Sequence, residues 1–114
     1  MATKTTSDLP KSVKVAWRDY KIENWDRREA AGAGRYGETV HASKTIKIDM
    51  SYGSRQAAST LLHEIMHASA AMWNYQESSK EEEVVSAFQH GLSTVWRDNP
   101  DVFAWIGHHL VHGS

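Results

Sequence analysis

The segment "STLLHEIMHASAAMW", Ser59–Trp73, decides how the rest of this sequence is interpreted. Most of its residues are apolar or small, and the apolar ones recur at the intervals of an amphipathic helix. We predict a helix from Arg55 to Trp73, with Ser54 as its N-cap. Two histidines and one glutamate interrupt the apolar pattern near its middle, and their spacing indicates chemistry.

These polar residues, His63, Glu64 and His67, form an H-E-x-x-H motif. Residues four apart lie above one another on a helix, so the two imidazoles can bind the same metal ion. Glu64 is rotated about 100° from His63 and about 60° from His67, where it can take a proton from a water without binding the metal. Zinc lowers the pKa of such a water to roughly 7. The motif therefore predicts a hydrolytic zinc site with Glu64 as the general base.

The helical wheel places the two histidines beside the predicted core stripe. That stripe is centred on Leu62 and also contains Ala58, Ile65, Met66, Ser69 and Trp73. Ser69 is polar, and its hydroxyl can bond back to the Ile65 carbonyl. The histidines fall at about 100° and 140° from Leu62, on the flank of the stripe. We therefore expect partly buried ligands with an open coordination position that faces a cleft.

A catalytic zinc usually has three protein ligands and one open position. The sequence contains no cysteine, so the third ligand must be a His, Glu or Asp. The next predicted helix, residues 80–97 with Ser79 as a candidate cap, begins with Glu81, Glu82 and Glu83. Glu81 lies along the apolar face of that helix, and we choose it as the third ligand. Glu82, rotated by about 100°, is the alternative, and the helix dipole alone also favours acidic residues in a first turn.

The remaining histidines are weaker candidates for metal ligands. His90 falls on the predicted solvent face of the second helix. His108 and His112 are four residues apart in "HHLVH" and could bind a second metal, although the polar face of a short helix also explains them. His41 lies in a predicted hairpin and is expected at the surface.

Strand signals precede the helices along the chain. Residues 13–25 contain β-formers in partial alternation and predict one or two strands, whereas the charged and Gly-rich residues 26–38 predict a loop. Residues 39–50 predict a hairpin that turns at residues 42–44, and a third helix is predicted at residues 101–111. Strands followed by helices predict an α+β fold, with a small antiparallel sheet of about three strands followed by three helices.

Composition limits the remaining possibilities. The chain has 114 residues, 13 of them basic and 14 acidic. This length predicts a single domain, which we place at residues 12–114 after a disordered tail at residues 1–11. The balanced charge gives no indication of a nucleic-acid partner, and no apolar run or basic cluster indicates a membrane. Without cysteines or a signal-peptide pattern, we expect a cytoplasmic location.

"TLLHEIMHA" and "EEEVVSAFQHGL", followed by "WRDNPDVFAWI" at Trp96–Ile106, resemble the small gluzincin-type zinc metallopeptidases of bacteriophages and prophages. More distantly, the sequence resembles ImmA/IrrE-type peptidases and Spartan-like proteases. The resemblance implies a minimal zincin-like fold, with His63 and His67 as zinc ligands, Glu64 as catalytic base and a glutamate of the following helix as third ligand. It also implies the cytoplasm of a bacterial host. No third histidine follows shortly after His67, so the metzincin pattern does not match.

We therefore predict a zinc-dependent metallopeptidase that hydrolyses a peptide or protein substrate. The substrate would pair with an edge strand at residues 45–50, "TIKIDM". Tyr36, Tyr52 and His41 are candidates for stabilising the transition state. Two alternatives stay open: a zinc-binding interaction or regulatory protein that docks to a host protein without cleaving it, and a zinc amidase that does not act on peptides.

Overall fold

The computed structural model describes residues 8–73 and 81–114, and for Glu81 it describes the backbone alone. Within these residues the chain forms four strands and four α-helices: β1 (Ser12–Val15), β2 (Arg18–Asn24), α1 (Arg27–Ala33), β3 (Gly37–Val40), β4 (Thr45–Ile48), α2 (Ser54–Met72), α3 (Glu81–Asp98) and α4 (Pro100–His112). The predicted α+β class is confirmed. No helix in the described part of the chain has the length and apolar character needed to span a bilayer.

The four strands form one mixed sheet in the order β1-β2-β4-β3. β1 and β2 form one antiparallel hairpin and β3 and β4 form another, turning at residues 41–44 close to the predicted turn. β2 and β4 run parallel, so the prediction of an antiparallel sheet is wrong for this pair, and the sheet has four strands where about three were predicted. Parallel neighbours need a long connection, and α1 and β3 provide it.

α1 occupies much of residues 26–38, for which the sequence predicts a loop. The Asp26 carboxylate caps this helix by accepting hydrogen bonds from the backbone N–H groups of Arg28 (2.9 Å) and Glu29 (3.2 Å). Gly34, with φ of +70°, follows its last turn. The loop prediction is wrong because the helix has only seven residues and buries only Ala30, so it has no apolar stripe to detect.

One face of the sheet packs against the helices and forms the core. The buried strand residues alternate along the chain: Val13 and Val15 in β1, Tyr20 and Ile22 in β2, Ile46 and Ile48 in β4. α2 contributes Ala57, Ala58, Leu61, Ile65 and Ala68. Its stripe is centred near Leu61 rather than the predicted Leu62, and Trp73 is 39% exposed. The stripe is rotated because α2 packs against α4 as well as against the sheet.

α2 and α3 approach closely where Ser69 faces Gly91. A Cβ atom added to Gly91 would lie 3.2 Å from Ser69 Cβ and 3.2 Å from Trp73 Cδ1. Ser69 is buried as predicted, but its hydroxyl has no hydrogen-bond partner in the described residues, so the predicted bond to the Ile65 carbonyl is wrong. Its small size at the helix crossing explains its presence in the stripe.

The predicted helix ends agree with the structure to within one or two residues. α2 begins at Ser54, but its N-cap is Gly53, with φ of +92° and no side-chain cap hydrogen bond, so the capping role of Ser54 is wrong. The predicted cap of α3, Ser79, lies outside the described residues. α4 begins with Pro100, whose missing N–H costs no hydrogen bond at the first helical position.

The outer edge of β1 is covered by the turn between α3 and α4. The Asn99 side chain accepts a hydrogen bond from the Lys14 N–H (2.8 Å) and donates one to the Lys14 carbonyl (2.7 Å). The same amide donates to the Val95 carbonyl in the last turn of α3 (2.8 Å). Asn99 therefore satisfies backbone groups that an edge strand otherwise leaves unpaired.

The opposite edge strand, β3, lies directly against α2. A Cβ atom added to Gly37 would lie 2.5 Å from Thr60 Cγ2 and 3.2 Å from Glu64 Cγ. A residue with a side chain at this position would separate the strand from the helix. Glycine at position 37 thus brings β3 against the part of α2 that carries the H-E-x-x-H motif.

Replacing Gly37 with Ala should lower the free energy of unfolding by about 1–3 kcal/mol, because the new methyl group overpacks the contact between β3 and α2. Urea unfolding followed by tryptophan fluorescence measures the change. The double variant Gly37→Ala/Thr60→Ser removes the clashing methyl group and keeps the hydroxyl that accepts a hydrogen bond from Gln56 Nε2 (3.1 Å). It should recover part of the loss, and a Gly37→Ala protein as stable as the parent would contradict the close approach.

Replacing Asn99 with Ala should lower the free energy of unfolding by about 2 kcal/mol, because three hydrogen bonds to backbone groups are lost. Lys14→Ala is the matched control. It leaves the bonded backbone groups in place, and its effect should stay below about 0.5 kcal/mol. Equal stability of Asn99→Ala and the parent would show that water satisfies this edge equally well.

Candidate functional site

His63 and His67 lie one helical turn apart on α2, and both are exposed, so the prediction that they are partly buried is wrong. Their Nε2 atoms are 3.0 Å apart, and the ring centroids are 4.7 Å apart. The two nitrogens thus converge. Two ligands of a tetrahedral zinc ion, each at the usual zinc–nitrogen distance, are separated by roughly 3.3 Å. The observed separation fits a shared metal ion with little adjustment of either ring.

Glu64 points from α2 toward β3 and is only 6% exposed. Its Oε1 atom accepts a hydrogen bond of 2.7 Å from Thr39 Oγ1. The same hydroxyl lies 3.2 Å from the Glu64 backbone carbonyl. A buried carboxylate needs a polar partner, and Thr39 supplies one. Glu64 nevertheless lines the same cleft as the two histidines, so its carboxylate is held at a defined place beside them.

The motif opens into a cleft of about 530 Å³ between β3 and α2. This volume is within the range of ligand-binding sites. One wall consists of residues 34–39 and His41, and the other consists of the α2 residues Gln56, Ser59, Thr60, His63, Glu64 and His67. Polar side chains predominate in both walls. The α2 residues of the cleft lie on one face of the helix and span three turns.

Two of the three residues considered for transition-state stabilisation lie at this cleft. Tyr36 and His41 line it, at the two ends of β3. Tyr52 contacts the cleft indirectly, because its ring packs edge-to-face on Tyr36 with centroids 4.9 Å apart. Tyr36 and His41 therefore remain candidates for contact with a ligand.

The edge strand beside the cleft is β3. β4, which contains the predicted edge residues "TIKI", lies between β2 and β3, so the prediction of an edge at residues 45–50 is wrong. The Tyr36 carbonyl accepts a hydrogen bond from the Asp49 N–H (2.8 Å). Backbone direction alternates in an antiparallel pair, so residues 38 and 40 also face β4. The N–H and C=O groups of Gly37 and Thr39 therefore face away from the sheet.

The third ligand is not identified among the described side chains. In the part of the chain that the structure describes, no third His, Asp or Glu joins His63 and His67 in a metal-binding group. Glu82 is exposed at the start of α3 and forms no such group. Glu81 begins α3, which packs against α2, but its side chain lies outside the described residues. The choice of Glu81 stays a prediction.

His90, His108 and His112 lie away from the cleft. His90 is exposed on α3 as predicted, with its ring 6.2 Å from that of Trp73. His108 and His112 are exposed on α4 with ring centroids 5.2 Å apart. Within residues 8–73 and 82–114 they belong to no group of three side chains that could hold a metal ion.

Thr39 is the residue of the site that the sequence does not reveal. No motif contains it, and it lies 25 positions before Glu64 in the chain. Its only signal is its place in a short strand, two residues after a glycine. The contact with Glu64 follows from the pairing of β3 with β4 and the packing of both on α2, which are long-range features.

Comparisons of the chain with models of known protein families, with curated proteins and with solved structures found no match.

Proposed function

We propose that this protein is a zinc-dependent metallopeptidase. The observation that supports this most strongly is the convergence of His63 Nε2 and His67 Nε2 to 3.0 Å beside the Glu64 carboxylate, at the wall of a cleft. This arrangement matches the two tasks of a hydrolytic zinc site, which are binding the metal and transferring a proton. The resemblance of the motif to small phage and prophage gluzincins favours the same function, with a peptide or protein as substrate and a host protein as a possible partner.

His63 and His67 would hold the zinc ion, with Glu81 as the third ligand. When bound, zinc supplies Lewis-acid polarisation of the scissile carbonyl and activates a water. Glu64 takes a proton from the attacking water as the water oxygen bonds to the carbonyl carbon. It then gives that proton to the amine nitrogen as the C–N bond breaks. The products are a carboxylic acid and an amine.

An extended peptide would bind along the outer edge of β3. The outward N–H and C=O groups of Gly37 and Thr39 can pair with a peptide backbone as an added strand. The opposite edge of the sheet, β1, already has the Lys14 backbone groups bonded to Asn99. Binding at β3 would place the scissile bond in the cleft that contains the histidines, with Tyr36 and His41 available to contact its carbonyl oxygen.

Replacing Glu64 with Gln should leave zinc bound and lower peptide cleavage at least about 100-fold, because the amide cannot accept the proton of water. Zinc content is measured by elemental analysis, and cleavage is measured with a library of fluorescence-quenched peptides. Glu29→Gln, on the exposed face of α1, is the matched control for the loss of one carboxylate and should retain cleavage.

Cleavage by Glu64→Gln at the parent rate would rule out Glu64 as the base. A parent protein that binds zinc and cleaves no member of the library would favour the interaction or regulatory protein. Cleavage confined to amides that are not peptides would favour the amidase.

Replacing Glu81 with Gln should weaken zinc binding at least about 10-fold, because the ion would keep only two protein ligands. Glu82→Gln is the matched control, since it removes the same charge one position along α3, and it should retain zinc. Competition with a chromogenic chelator measures the affinities of both variants. Weaker zinc binding by Glu82→Gln than by Glu81→Gln would assign the third ligand to Glu82. Unchanged zinc binding in both variants would show that the start of α3 supplies no ligand.

A further inference from the structure

We propose that Thr39 is a positioning residue, whose hydroxyl group fixes the orientation of the Glu64 carboxylate for proton transfer. Among the described residues the Thr39 hydroxyl group bonds to Glu64, and it acts through that residue. The inference rests on the proposed peptidase function, because it gives Glu64 the role of base.

The contact distances show which acceptor the Thr39 hydroxyl uses. A hydroxyl group has one proton, and Thr39 Oγ1 lies 2.7 Å from Glu64 Oε1 but 3.2 Å from the Glu64 carbonyl oxygen. The shorter distance is typical of a strong O–H···O bond, and a charged acceptor strengthens it further. Within the described residues Oε1 is the carboxylate oxygen with a hydrogen-bond donor, so we assign Oε2 as the oxygen that accepts the proton of water.

The surroundings of Thr39 make it a rigid donor. Its side chain is β-branched and therefore restricted at χ1, and it lies on a strand paired with β4. Two residues earlier, Gly37 brings the same strand against α2 at Thr60 and Glu64. Glu64 itself has a longer side chain with more rotatable bonds. A fixed partner therefore reduces the number of orientations of the base, which is the condition for efficient proton transfer.

The same residue joins the base to the proposed substrate edge. The backbone N–H and C=O of Thr39 face outward from the sheet, whereas its side chain faces Glu64 on α2. A peptide paired with β3 would therefore bind the residue that orients the base. Loss of the hydroxyl group should leave the backbone pairing intact, so the defect should occur in kcat rather than in KM.

The kinetic test compares Thr39→Val, Thr39→Ser and Thr45→Val. The probe is the peptide that the parent cleaves fastest in the fluorescence-quenched library. Thr39→Val keeps the shape but loses the donor, and its kcat should fall at least about 10-fold, with KM changed less than about 3-fold and zinc content unchanged. Thr39→Ser restores a hydroxyl group and should recover most of the loss. Thr45→Val, on β4, removes a hydroxyl group that contacts Ser43 instead and should retain the parent kcat.

A second measurement uses the metal-free protein and requires no activity. Urea midpoints are compared for the parent, Thr39→Val, Glu64→Leu and the double variant. Thr39→Val should lower the midpoint in the parent, where it leaves the buried carboxylate without its partner. It should lower the midpoint less in Glu64→Leu, where no carboxylate is present. Additive shifts would show that the two side chains are not coupled and would overturn the proposal.

The outcomes separate this inference from the proposed function. A parent that cleaves peptides and a Thr39→Val variant with the same kcat would overturn the positioning role alone. The positioning role would also be overturned if Thr39→Ser failed to recover the kcat that Thr39→Val loses, because that result would indicate a general structural role. A change in KM alone would overturn it as well, because that would indicate a role in binding. A parent that cleaves no peptide would overturn the peptidase function, and the positioning role with it.

Discussion

The close contact between β3 and α2 at Gly37 is the constraint on which the candidate site depends. A side chain there would meet Thr60 and Glu64 at distances shorter than van der Waals contact, so the strand could not lie as near to the helix. With glycine, the next inward-facing residue of β3, Thr39, lies within hydrogen-bond distance of the Glu64 carboxylate. One backbone position thus sets the wall of the cleft and allows a carboxylate to be buried beside the histidines.

The two edge strands of the sheet differ in how their backbone groups are bonded, and this difference favours β3 as the edge on which another strand could pair. At β1, the Asn99 side chain bonds to both backbone groups of Lys14, and this removes a surface on which another strand could pair. At β3, the register directs the backbone groups of Gly37 and Thr39 outward. The β1 edge lies beside the turn between α3 and α4, whereas the β3 edge borders the cleft.

The sequence predicted local features well and the packing between them less well. The three long helices follow the predicted periodicity, and His63 and His67 converge on one face of α2 as their spacing allows. The core stripe of α2 is rotated toward Leu61, because α4 buries a second side of the helix. α1 was predicted as a loop because a short helix that buries only Ala30 leaves no periodic signal.

The sequence by itself determined the α+β class and the juxtaposition of the two imidazoles. Both follow from local geometry, because helical spacing fixes which side chains share a face. Only the tertiary structure decided the strand order, the identity of the open edge and the hydrogen bond between Thr39 and Glu64. These features depend on pairing between residues far apart in the chain, and β4 can lie between β2 and β3 only because α1 and β3 provide the crossover.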